Sequence, residues 1–197
     1  MRIKAISKVN PVIRWYILSE FFFWSAWNTI GPVFSIFLIR AIPGSNISVA
    51  TMAYSLHLVV RIVLELSLGR FFSRFGDRER VITALIGIMI VGVCNIGFAF
   101  IDSVWEAYVL YSLAGFGFGI AQPQKMAFFS THLDKHKEAF EWSLYDAATM
   151  GGTAVVAIAG GWIVHNLGFQ SLFAIAAMVN FVSMLPFIFM LDMKRPR

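Results

Sequence analysis

Residues 81–101 read Val-Ile-Thr-Ala-Leu-Ile-Gly-Ile-Met-Ile-Val-Gly-Val-Cys-Asn-Ile-Gly-Phe-Ala-Phe-Ile, from Val81 to Ile101, without one charged side chain. A helix that crosses a bilayer needs about 20 mostly apolar residues, and this run supplies them. It does not stand alone. Upstream lie similar runs at about Val12–Ile39 and Ser48–Leu68; downstream lie Trp105–Phe129, Phe140–Val164 and Gln170–Met190. Across the 197 residues, 58% are hydrophobic and 14% charged, with a mean hydropathy of +0.73. Soluble domains carry roughly 45–50% apolar and about 25% charged residues, so a soluble enzyme, a disordered chain and a disulfide scaffold are excluded. The expectation is an all-α membrane protein, one domain over 1–197, with six transmembrane helices.

Punctuation between the runs agrees. Asn10-Pro11 suits a helix start, with Asn capping and Pro in the first turn, and Pro43-Gly44-Ser45-Asn46 reads as a turn. The basic residues set the orientation. Arg2, Lys4, Lys8 and Arg14 precede or open helix 1; Arg70, Arg74, Arg78 and Arg80 separate helices 2 and 3. Lys125, Lys135 and Lys137 fall at or after the end of helix 4, and Lys194, Arg195 and Arg197 follow helix 6. Arg40 sits in an opposite loop and Arg61 within helix 2, so 14 of the 16 basic residues fall on one side. The positive-inside rule then puts both termini in the cytoplasm, with the plasma (cytoplasmic) membrane as the expected location. The first run is too long for the 7–15-residue core of a cleaved signal peptide. A net charge of +5 placed between oily runs serves topology and does not point to nucleic acid.

The chain also echoes itself. Tyr54-Ser55-Leu56 in helix 2 matches Trp142-Ser143-Leu144 in helix 5, and Gly69 and Gly76 share the spacing of Gly161 and Gly168. Tyr16-Ile17-Leu18 leading to Pro32 matches Tyr108-Val109-Leu110 leading to Pro123. These matches suggest two three-helix units, about 10–101 and 102–192. Because three is odd, the second is inverted in the membrane, as in many secondary transporters.

The loop Gly69-Arg70-Phe71-Phe72-Ser73-Arg74-Phe75-Gly76-Asp77-Arg78-Glu79-Arg80 resembles the signature loop of the major facilitator superfamily, Gly-x-x-x-Asp-Arg-x-Gly-Arg-Arg/Lys. Gly69, Arg74, Gly76 and Arg78 match; Ser73 replaces the usual Asp and Asp77 a usual basic residue. Gly115-Phe116-Gly117-Phe118-Gly119, Gly151-Gly152, Gly160-Gly161 and Gly168-Phe169 with Phe173 are also similar to that family. The resemblance covers nearly the whole chain and one half of the family's usual twelve helices. It implies a secondary transporter that moves a small solute by alternating access. The family's halves are parallel repeats, so a six-helix chain builds the whole as a parallel homodimer. The alternatives are the N-terminal half of a longer transporter and a non-transporting subunit or assembly factor. In the family, the loop Asp meets a helix N-terminus of the opposite half. The Ser73 hydroxyl brings no charge to that contact, which implies a weaker latch or a role for Asp77.

Charged groups at bilayer depth are functional candidates. Glu20 and Arg61 lie at similar depth in consecutive helices, and an ion pair between them is expected. His57, Arg61 and Glu65 share a helix face at i, i+4, i+8. With Asp146 in helix 5 they form the candidate charge and proton-coupling network. The resemblance places helices 1 and 4 around the cavity, making Trp24, Trp27, Asn28, Gln122 and Gln124 the substrate-contact candidates. Asn95 and Asn180 are expected to bridge helices. Cys94 stands alone, and His132 and His136 lack a third ligand. No phosphate loop and no nucleophile–base arrangement appear, so no cofactor, metal or enzymatic activity is expected. The expected partners are the lipid bilayer, a small-molecule substrate and a second copy of the chain.

Overall fold

The computed structural model describes residues 9–191. The basic residues Arg2, Lys4, Lys8, Lys194, Arg195 and Arg197 lie outside them. Every described element is helical: α1 Pro11–Ala41, α2 Ile47–Phe72, α3 Asp77–Gly97, α4 Val104–His132, α5 Glu138–Val182 and α6 Met184–Leu191, with a 3-10 turn at Phe98–Phe100. Helices satisfy their backbone polar groups internally, which lipid requires.

Local chemistry sets the starts. Asn10 Oδ1 accepts from the Val12 N–H at 2.9 Å with Pro11 opening α1, and Asn46 Oδ1 accepts from the Val49 N–H at 3.1 Å. α4 opens on a capping box in which the Glu106 N–H donates to Ser103 Oγ and the Ser103 N–H to Glu106 Oε2. Two glycines turn the chain at positive φ, Gly44 at 76° and Gly168 at 82°.

Among the described residues five helices are long and apolar enough to cross a membrane, the last being the 54-residue stretch Glu138–Leu191. A straight rod of that length would reach about 80 Å, against a hydrocarbon core of about 30 Å. Contacts along α1 show how it is accommodated. Glu20 meets Tyr145 and Asn28 meets Thr153, so the 138–167 arm runs parallel to α1. Ser19 meets Ser183 and Phe37 meets Phe169, so the 169–182 arm runs antiparallel to it. The reversal falls on Gly168, where the backbone (φ 82°, ψ 172°) occupies a region essentially reserved for glycine. The expected run Gln170–Met190 is not one smooth helix. It breaks at Ser183, because Pro186 lacks the N–H that would bond the Val182 carbonyl, and Ser19 Oγ donates to the buried Ser183 carbonyl at 2.6 Å.

α4 is antiparallel to α1, with Tyr16 stacked on Phe129 at 4.6 Å and Phe34 edge-on to Tyr111 at 4.5 Å. Two aromatic clusters result. Tyr16, Phe23, Phe118 and Phe129 fill the end near Pro11; Phe34, Phe37, Phe98, Tyr111 and Phe173 fill the other. Small residues let helices close up. A Cβ at Gly115 would strike the His57 carbonyl oxygen, and one at Gly152 would strike Ser25 Oγ. α4 thus lies on α2, and the 138–167 arm on α1. By contrast, Gly151 and Gly161 have nothing within 4 Å and share the outward side of their arm with exposed Val155, Ile158 and Trp162. α2 is barer still: its buried residues are Ala50, Ala53, His57 and Phe72.

Candidate functional site

Glu20 does not pair with Arg61. Its Oε1 stands 2.7 Å from Lys125 Nζ, both side chains with 0% exposure. Lys125, expected at the end of helix 4, lies two turns inside α4, which continues through Pro123 to His132. The pair is enclosed on all sides. Trp24 Nε1–H donates to Glu20 Oε2 at 3.2 Å and the Tyr145 hydroxyl donates to the same oxygen at 3.3 Å. Lys125 Nζ also sits 3.7 Å from the centre of the Phe23 ring. Removing two ions from water costs several kcal/mol each, so such a pair persists only with close geometry and further hydrogen bonds. The geometry is close and Glu20 Oε2 has both further bonds, whereas among the described residues Lys125 Nζ has, beside Glu20, only the Phe23 ring. Depth along the helix fits Arg61 and Lys125 equally; it is the rotation of α4 about its axis that turns Lys125 onto Glu20.

Arg61 pairs within its own helix, Nε to Glu65 Oε1 at 2.8 Å, the side chains 25% and 32% exposed. Its guanidinium carbon lies 5.5 Å from the centre of the Phe118 ring. One turn away His57 is buried, stacked on Trp27 at 5.1 Å and edge-on to Phe118 at 5.1 Å. The expected shared face of His57, Arg61 and Glu65 therefore exists, graded from buried to half-open. Asp146 is exposed on the 138–167 arm, away from these charges.

A cleft of about 400 Å³ opens between α1, α2 and α4, lined by Trp27, Asn28, Pro32, Ser35, Tyr54 and Tyr111 among others. That volume lies within the range of small-molecule pockets, about 300–1,000 Å³. Two of the expected substrate contacts, Trp27 and Asn28, are on its wall; the Asn28 amide also donates to Thr153 Oγ1 at 2.9 Å. Trp24 is turned to Glu20 instead. Gln122 and Gln124 are buried, each with an unpartnered Oε1, and neither lines the cleft. Asn180 bridges helices, its amide donating to the Ile88 carbonyl at 2.8 Å. Asn95 does not: both its side-chain polar atoms are buried without a partner among the described residues. Lys125, Tyr145, Tyr54 and Tyr111 were absent from the sequence-based candidates. Lys125 was recoverable, since Phe118, Gln122, Lys125 and Phe129 fall at helical spacing on one face.

In the signature loop Ser73 caps its own helix, its hydroxyl donating to the Arg70 carbonyl at 2.7 Å. Asp77 opens α3 and lies 3.7 Å from His132 Nε2, on the last turn of α4, and 3.9 Å from Arg80 Nη1. Gly69, Gly76, Arg74 and Arg78 complete the loop, the two arginines exposed. In the next loop on this side, a hydrogen bond from Lys137 Nζ to Asp134 Oδ2 at 2.8 Å holds the lysine above its ordinary pKa.

Residues 16–197 match the family description of the Major Facilitator Superfamily. The chain belongs to that superfamily. It is thus a member of a transporter family and not an enzyme. Solved facilitator structures share its fold. PepTSo, a POT family transporter, superposes with a TM-score of 0.77 at 19% identity, over 94% of this chain and 39% of that one. The E. coli fucose:proton symporter FucP gives 0.73 at 16% identity, over 98% and 45%. An auto-inhibited POT family peptide transporter gives 0.71 at 18%, over 95% and 39%. The chain spans less than half the length of these facilitators. Among curated proteins no relative matches.

Proposed function

We propose that this facilitator chain is one half of a secondary transporter, six spans arranged as a 3+3 inverted repeat, which moves a small solute by alternating access. The observation that carries the reading is the set of ionisable groups at membrane depth, Glu20, Lys125, Arg61 and Glu65, turned toward the bundle interior. Lipid-facing charge is costly, and such residues mark solute or ion pathways. The chain reversal at Gly168 supports six spans. The packing supports the repeat: α1 lies along the 138–167 arm as α4 lies along α2, and exchanging the units maps one contact onto the other.

The second half is a parallel copy of the same chain. The bare outward faces of α2 and the 138–167 arm are the surfaces it would cover. Both termini are cytoplasmic and the membrane is the plasma membrane, as the loop arginines and lysines favour. Lys125 no longer counts toward that rule, since it is buried.

Proton coupling is the finer form of the proposal, with Glu20 as carrier: a proton on its carboxylate would remove the counter-ion of Lys125 and loosen α1 from α4. Purified protein in proteoliposomes should exchange labelled solute for unlabelled solute without ATP. Absence of exchange across a broad solute panel would reject transport. Glu20→Gln should abolish pH-driven uptake while sparing exchange; uptake that still follows the pH gradient removes the proton role.

A further inference from the structure

The molecule holds two ion pairs at membrane depth, and they differ in kind. Glu20 and Lys125 are sealed at 0% exposure, their carboxylate and ammonium enclosed by Trp24, Tyr145 and Phe23. Arg61 and Glu65 are open. Only Nε and Oε1 are engaged with each other; among the described residues Arg61 Nη1 and Nη2 and Glu65 Oε2 have no partner. Arg61 lies about 17 Å from the Phe72 end of a helix about 39 Å long, near the middle of the bilayer. A half-exposed guanidinium at that depth must face a water-filled cavity, which rests on the transport reading above.

We propose that the Arg61–Glu65 pair recognises a zwitterionic solute of the amino-acid type. The solute carboxylate docks on the Nη edge of Arg61, whose fixed fork suits a carboxylate, and its ammonium donates to Glu65 Oε2. The charge balance favours this class. Arg61 and Glu65 together are neutral. A singly charged solute would leave an uncompensated charge in a low-dielectric site, whereas a dipolar ion keeps every charge paired. The two open valences lie on one helix turn, as the two charged groups of an amino acid lie on one carbon. Phe118, buried beneath the guanidinium and packed on Trp27 at 4.9 Å, holds the Arg61 fork in place.

The test uses the purified full chain in detergent and reads ligand-induced thermal stabilisation at neutral pH. The probes are L-leucine, L-leucine methyl ester (a cation) and N-acetyl-L-leucine (an anion), with the matching phenylalanine and serine sets. The zwitterion should stabilise, and each singly charged analogue should bind about 10- to 100-fold more weakly, the loss of one charge-assisted hydrogen bond. Glu65→Gln should shift the preference toward the N-acetyl form and Arg61→Gln toward the ester. A pair that only braces α2 would lower stability without reordering the ligands. The proposal is overturned if no zwitterion of the panel stabilises, if either singly charged analogue equals it, or if the variants leave the order unchanged. Binding without vesicle exchange would instead refute transport and leave this site standing; exchange of another solute without amino-acid binding would do the reverse.

Discussion

Replacing Lys125 with Met isolates the energetics of the sealed pair. The substitution keeps an unbranched side chain of similar length against Phe23 but removes the ammonium 2.7 Å from Glu20 Oε1. Glu20 would then be a carboxylate with 0% exposure, held only by Trp24 and Tyr145. Breaking a buried pair from one side costs about 3–5 kcal/mol, because the remaining charge is uncompensated. For a chain of this size that corresponds to a fall in Tm of about 6–20 °C. Glu20→Gln should cost a similar amount by stranding Lys125, although the Gln oxygen can still accept from Trp24 and Tyr145. The double variant is decisive. With both charges gone, the hydrogen bonds to residue 20 remain and most of the loss should return, so the double variant should melt above either single one and the coupling between the sites should exceed one single loss, about 3–5 kcal/mol. Thermal unfolding in one detergent, completed as a double-mutant cycle, measures it. If the double variant loses the sum of the single losses, the two groups act independently and the account of the pair fails.

Other outcomes follow from the packing. Gly115→Ala should destabilise by about 1–3 kcal/mol, since its methyl meets the His57 backbone and overpacking costs that much; Gly151→Ala, with open space around it, should leave Tm within a degree or two. Equal effects in the same melt would contradict the helix contacts. Gly168→Ala should cost about 1–3 kcal/mol by forcing a side chain into a glycine-only region, read as a lower Tm with unchanged helical circular dichroism. On the proposed dimer, Ile158→Glu on the exposed face should convert two-copy particles to single copies in native mass spectrometry while the spectrum stays helical. A variant that remains fully dimeric would show that this face is not the interface.

Much of the architecture could be read from the runs. A membrane span is announced by its own composition, because lipid excludes unpaired backbone and charge at every position along it. Asn10, Pro11, Gly44 and Asn46 marked helix ends through chemistry confined to a few neighbouring residues. The same locality explains the failures. Ser183 interrupts the final helix because Pro186 has no amide hydrogen, a signal that was present but hidden within an apolar run. The signature-loop residues identified the superfamily, yet Ser73 turned out to serve its own helix end.

The sequence by itself determined that this chain is a bundle of membrane-length helices, where several of them begin and which superfamily they belong to. Tertiary structure alone decided which charges meet. Depth follows from a rise of about 1.5 Å per residue once the helix ends are fixed; the sequence offered Glu20 only Arg61, and the continuation of α4 to His132 adds Lys125 at a similar depth. Choosing between them requires the rotation of each helix and its neighbours, which are set by where glycines admit close approach and where aromatic rings fill the gaps. Consecutive helices are the usual neighbours, but here α1 lies along the 138–167 arm and packs on α4, so the carboxylate finds Lys125 and leaves Arg61 to Glu65 on its own helix.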